Sequence, residues 1–248
     1  YTIGGFSSDI NKTLEIYDIA NNCFASGATP ILSLWWFGCV VVGAKIYCIG
    51  GRQGANRITN KVQIYNTEPN TWAMGKDMPE IKEAFGCVLI DNKIYCIGGR
   101  TNNLNVEWTN SVYSYDVITE TWSAEPVMTI SKGDFGCATV GEKIYCMGGK
   151  TGNTTYLTEV SVFDTKLNEW EKSININMPT NRNEFGCVAV GTKIYCIGGN
   201  INTYVNDDVY VYDTKSSTWQ KGIKLLRAVS GFGCVQFGFK IYVTGGLF

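Results

Sequence analysis

FGCVVVGAKIYCIGG, residues 37–51, is the stretch on which the fold is read. It consists of two runs rich in β-branched and aromatic residues, joined by Gly43-Ala44 and closed by Gly50-Gly51. Two such runs separated by two turn residues read as a β-hairpin with a type I′ or II′ turn. The pattern returns as FGCVLIDNKIYCIGG from Phe85, FGCATVGEKIYCMGG from Phe135, FGCVAVGTKIYCIGG from Phe185 and FGCVQFGFKIYVTGG from Phe232. The spacings are 48, 50, 50 and 47 residues. A period of that size signals a propeller or a repeat array, not a string of unrelated domains.

Working outward, the two runs are strands a and b. A polar stretch of variable length follows each Gly-Gly. A third run then ends on an aromatic residue: LEIY, VQIY, VYSY, VSVF and VYVY. Seven residues later stands another aromatic, giving the pairs Tyr17/Phe24, Tyr65/Trp72, Tyr115/Trp122, Phe163/Trp170 and Tyr212/Trp219. This spacing predicts strand c, a short turn and strand d, and it assigns four of the seven tryptophans to packing between neighbouring sheets. Four strands, a glycine doublet after the second and this aromatic spacing closely resemble the Kelch repeat over essentially the whole chain. The resemblance implies an all-β, Kelch-type β-propeller of four-stranded antiparallel blades. The doublet glycines are read as structural, placed where packed blades leave no room for a side chain.

One domain is expected over residues 1–248. It comprises a partial blade at 1–36, repeats at 37–84, 85–134, 135–184 and 185–231, and closing strands at 232–248. The chain offers twenty-one strand candidates, and five blades need twenty. Five blades are therefore preferred, with the ring closed by the strand from Phe232 joining the strands from Leu14 onward in a shared blade. Six blades, frequent in the family, are the alternative and would leave one blade three strands short. Closing the ring with both chain ends removes open sheet edges. The chain begins without Met inside a repeat, as a piece of a longer protein would.

Composition removes several kinds of function. Formal charge is −1, from 21 basic and 22 acidic residues, with no long run of either sign. Nucleic acid and anionic membrane are thus not expected partners, and no apolar run is long enough for a spanning helix. Histidine is absent, which excludes imidazole bases, His-ligated metals and Ser-His or Cys-His nucleophiles. No cofactor is expected.

Eight of the ten cysteines form the pairs 39/48, 87/96, 137/146 and 187/196. Counting outward from each two-residue turn puts the members of a pair opposite one another at a non-hydrogen-bonded position, where Cα atoms lie about 4.5 Å apart. That is at the short end of disulfide geometry. Cys234 faces Val243 instead and Cys23 has no local partner, so a small apolar residue suffices at these places. Free buried thiols are the expected state, which suits a cytoplasmic location. Oxidised pairs would instead indicate secretion. Zinc is disfavoured because there is no CxxC spacing. The sequons at Asn11 and Asn153 shift this reading only slightly.

In an up-and-down blade the b–c loops and d–a connections share one face. Here they are the long, variable segments, and recognition concentrates in such loops. The resemblance to Kelch propellers implies that this face binds a peptide or protein partner. Candidate aromatic anchors are Trp35 and Trp36 before the first strand a, Trp108 in a b–c loop, and Tyr156 and Tyr204 in neighbouring loops. Candidate cations are Arg52, Arg100 and Lys150 after the doublet, Lys82, Lys132 and Arg182 three residues before the recurring phenylalanine, and Arg227. Local pairing with Glu83, Asp134, Glu184, Asp207 and Asp208 is the first reading of these cations, and a rim that clamps an acidic segment of the partner is the functional one. Two classes of function stand. The preferred one is a non-catalytic interaction scaffold, such as the substrate-recognition part of a larger adaptor. The alternative is a mutarotase- or cyclase-like enzyme with Arg182, Glu184, Trp35 and Trp36 around one pocket.

Overall fold

The structure is a computed structural model that describes residues 1–4, 13–54, 57–101, 107–172 and 176–247. The sequon at Asn11, most of the first b–c loop and the tip of the loop before Trp108 lie outside the described residues. Every element among the described residues is a strand. Among the described residues no helix is long and apolar enough to cross a membrane.

Four sheets are complete antiparallel blades with strands in chain order from the channel outward. The first consists of Gly38–Val42, Lys45–Ile49, Val62–Asn66 and Thr71–Met74. The second, third and fourth begin at Gly86–Ile90, Gly136–Val140 and Gly186–Val190. A fifth inner strand, Gly233–Phe237, pairs with Lys240–Thr244. Counted by inner strands, the all-β propeller has five blades.

Both chain ends meet in the closing sector. Thr2–Ile3, Leu14–Asp18 and Cys23–Ser26 form one sheet, and the hydroxyls of Thr2 and Thr244 lie 3.1 Å apart. The hydrogen bonding differs in one detail from a single shared sheet. Strand Leu14–Asp18 takes Thr2–Ile3 as its neighbour, and the C-terminal hairpin stays a separate pair. The reason lies in Tyr1, the counterpart of the b-strand tyrosines. Its ring centroid is 5.7 Å from that of Tyr65, matching the 6.1 Å of Tyr47 and Tyr115 at the next interface.

The aromatic code holds the blades together. Each c-strand aromatic is directly opposite its d-strand partner, as in Tyr65↔Trp72 and Tyr115↔Trp122. The indole N–H of Trp72 donates to Ala28 O, that of Trp122 to Lys76 O and that of Trp170 to Pro126 O, each across to the preceding sheet. These tryptophans both fill the interface and satisfy its polar backbone.

The a–b turns carry a positive φ at the first turn residue only, at Gly43, Asp91, Gly141, Gly191 and Gly238. Asp91 is the one non-glycine, at φ 51°. An L-residue there costs about 1–2 kcal/mol relative to glycine. Asp91→Gly is therefore expected to raise the unfolding free energy by about 1 kcal/mol, measured as a shift in denaturation midpoint at constant slope.

Candidate functional site

The d–a connections wrap the channel mouth as a backbone collar. The residue before each recurring phenylalanine adopts a left-handed conformation: Trp36, Ala84, Asp134 and Glu184 at φ 53–54°, and Gly231 at 61°. This turns each N–H toward the carbonyl of the preceding blade. Ala84 N–H donates to Trp36 O, Asp134 to Ala84 O, Glu184 to Asp134 O and Gly231 to Glu184 O, all at 2.9 Å. Strain of this kind persists only where the surroundings over-determine it, and it pre-organises what it carries. One step outward, a bridge joins each connection to the residue after the doublet: Trp35↔Arg52, Glu83↔Arg100, Gly133↔Lys150 and Asn183↔Asn200.

Charge on this collar is asymmetric. Glu83, 1% exposed, accepts Arg52 Nε and Nη2 at 2.6 Å each and pairs with Arg100 Nε at 2.8 Å. Two guanidinium groups thus share one carboxylate. Trp36, 48% exposed, holds its ring 5.6 Å from the Arg52 guanidinium carbon. On the opposite arc, Lys150 pairs with Asp134 at 2.8 Å, and Asn200 donates to Glu184. Burial pushes both acids above the usual carboxylate range; the Lys150 charge opposes this at Asp134, and the Asp134 charge adds to it at Glu184.

Trp108 lies against Gly133, donates its indole N–H to Gly152 O at 2.8 Å and stacks under Lys150, so it staples the second b–c loop to the third. Tyr156 is half-buried in the hairpin Lys150–Thr151 with Thr155–Tyr156, whereas Tyr204 stands 78% exposed on the hairpin Asn200–Ile201 with Tyr204–Val205. Arg227 is exposed. Among the described residues it pairs with no carboxylate.

The other candidates belong to the interior. Trp35 is 8% exposed and tied through both backbone hydrogen bonds to Arg52. Lys82, Lys132 and Arg182 are 0% exposed. Lys82 Nζ donates to Ser111 O, Lys132 Nζ to Cys146 O, and Arg182 Nη1 to Gly198 O and Asp208 O. Their place in the repeat points inward under the loops, and periodic spacing alone does not distinguish the two directions. With Arg182 and Trp35 buried, the four residues of the catalytic alternative do not surround one open pocket. The feature that sequence reading missed is the sharing of Glu83, which there stood only among possible ion-pair partners.

Burial lowers the Lys82 ammonium from 10.5 to about 8, with Glu80 opposing the shift. A lysine whose folded pKa is lowered weighs on the fold fully below about pH 8, and the burden lifts as pH rises toward 10.5. Leu34 and Val229 fill the equivalent position in other repeats, also buried. Lys82→Leu is therefore expected to stabilise by about 1–2 kcal/mol at pH 7. The gain over the parent chain should shrink between pH 8 and 10.5 in paired denaturation curves.

Fold and site together define a propeller that carries a pre-organised loop face around its channel. The chain belongs to the Kelch-repeat family: the model of the KLHDC2/KLHL20/DRC7 Kelch-repeats domain matches residues 36–246. No curated protein sequence matches it. Kelch propellers generally serve as protein-interaction scaffolds.

Proposed function

We propose that the chain is a non-catalytic recognition module that binds a segment of a partner protein across the collar, with an acidic residue of that segment beside Arg52 and Arg100. The observation that carries this reading is the unequal sharing of Glu83. Among the described residues two arginines meet one carboxylate on the Trp36 side, and Trp36 adds an exposed, pre-positioned aromatic surface. The Asp134 and Glu184 arc has the opposite excess, with Lys150 as its ion-pair cation. An extended ligand therefore has a preferred polarity across the mouth. Arg227, Tyr204, Tyr156 and Trp108 extend the surface outward along the loops. In this reading the module works in the reducing cytoplasm as the substrate-recognition part of a larger adaptor.

Selection from a displayed random-peptide library tests it. The chain should enrich peptides with a recurring Asp or Glu. Trp36→Ala and Arg100→Glu should each weaken the selected peptides by about 30-fold, the effect of one interface hot spot. Enrichment without an acidic preference, or unchanged affinity in both variants, would remove this face from the function.

A further inference from the structure

The cysteine pairs are not used by the proposed function, and they combine three observations. The first is geometric. In all four complete blades the cysteines face one another across strands a and b, Cys187↔Cys196 in the fourth. The Cys137 and Cys146 sulfurs lie 3.8 Å apart, and the same register opposes the members of the other three pairs. Cys137 and Cys187 are half-buried and are among the residues that line the channel.

The second observation concerns charge. The second, third and fourth pairs each lie near a fully buried cation: Lys82 for Cys96, Lys132 for Cys146 and Arg182 for Cys196. Where the b-strand cysteine gives way to Val243, the cation gives way to Val229. Arg182 is in addition left with Nη2 lacking a hydrogen-bond partner although the side chain is 0% exposed.

The third observation is unique to one blade interface. Strand b reads KIYCM at Lys143–Met147, where three other blades have KIYCI. The fully buried Met147 reaches across the interface, and its thioether sulfur accepts the Cys196 thiol at 3.3 Å. Cys196 therefore faces a second cysteine across its own hairpin and a thioether of the neighbouring blade, with a buried positive charge nearby.

We propose that Cys187, Cys196 and Met147 form a binding site, entered from the channel, for a soft monovalent cation, Cu(I). Thiolate and thioether ligands select this ion over harder divalent ones. Zinc requires four ligands in a closed structural site, and among the described residues no three His, Cys, Asp or Glu side chains converge on a metal position. Binding breaks two S–H bonds, forms two Cu–thiolate bonds and releases two protons to solvent, with no electron transferred. The resulting Cu(I) dithiolate carries one negative charge, which the Arg182 guanidinium offsets. Among the described residues only Cys196 donates its thiol to a thioether, and the other pairs bind the ion more weakly.

The test is anaerobic competition of the reduced, full chain with a chromophoric Cu(I) chelator, together with X-ray absorption at one equivalent of Cu(I). The parent chain should take the first equivalent with three sulfur neighbours. Met147→Ile, which installs the residue found in the other blades, should leave two sulfur neighbours and weaken the tightest site by about tenfold or more. Cys196→Val, the pairing found at Val243, should remove the site, with circular dichroism checking the fold of both variants. Equal affinity of the parent and Met147→Ile, two-sulfur coordination in the parent, or a mass loss of a disulfide in place of bound metal would each overturn the proposal. Should Cys196→Val fail to fold, the Met147→Ile comparison decides alone.

Discussion

Replacing Glu83 by alanine is expected to destabilise the propeller by about 3–5 kcal/mol, the cost of stranding a buried charge. Arg52 is 7% exposed, and its Nε and Nη2 both rest on the Glu83 carboxylate. Without Glu83 that guanidinium keeps its charge at any accessible pH and has little access to water. Arg100 loses the same anion. The loss should appear as a lower denaturant midpoint at unchanged slope. A double-mutant cycle with Arg52→Leu should recover much of it, because the more deeply buried of the two guanidinium groups is then gone and only Arg100 is left without that anion. A loss under about 1 kcal/mol, the size of an exposed pair, would show that the triad is solvated and the collar is not pre-organised by it.

Gly51→Ala is the second large effect. Gly51 has φ +87°, and a Cβ there would lie 2.6 Å from Phe37 Cβ and 2.7 Å from the backbone oxygen of Trp35. The oxygen cannot move aside, since it accepts the Arg52 N–H in the bridge that holds the first d–a connection. Left-handed strain and overpacking together give an expected cost of about 2–5 kcal/mol. Gly43→Ala is the internal control. It also has positive φ, but its Cβ would meet nothing within 4 Å, so its cost should be the backbone strain alone, about 1–2 kcal/mol. Equal losses at the two positions in thermal or denaturant unfolding would refute the packing role of the doublet.

The contrast between these glycines shows what repetition in a sequence conveys. The doublet, the paired cysteines and the seven-residue aromatic spacing recur because one packing problem recurs, and strand pairing follows from alternation and turn length alone. Closure was legible only in outline. Tyr1 and Thr2 look like any b strand, and which strand Leu14–Asp18 pairs with depends on what Tyr1 packs against.

The site was legible in part. Loop variability pointed to the face on which Trp36 stands exposed. The three cations before the phenylalanines were indistinguishable in the sequence from those after the doublet. The fold separates them by partner: Lys82, Lys132 and Arg182 are fully buried and donate to backbone carbonyls, while the buried Arg52 and the more exposed Arg100 meet on Glu83.

The sequence by itself therefore determined the repeat, its strands, the hairpin register that opposes the cysteines, and membership of a propeller class, since these depend on contacts local in the chain. Tertiary structure alone decided which charges are buried, how two arginines come to share one carboxylate, and that Met147 of one blade touches Cys196 of the next. Those outcomes depend on side chains far apart in the chain, 31 residues for Arg52 and Glu83 and 49 for Met147 and Cys196, brought together by the curvature of the ring.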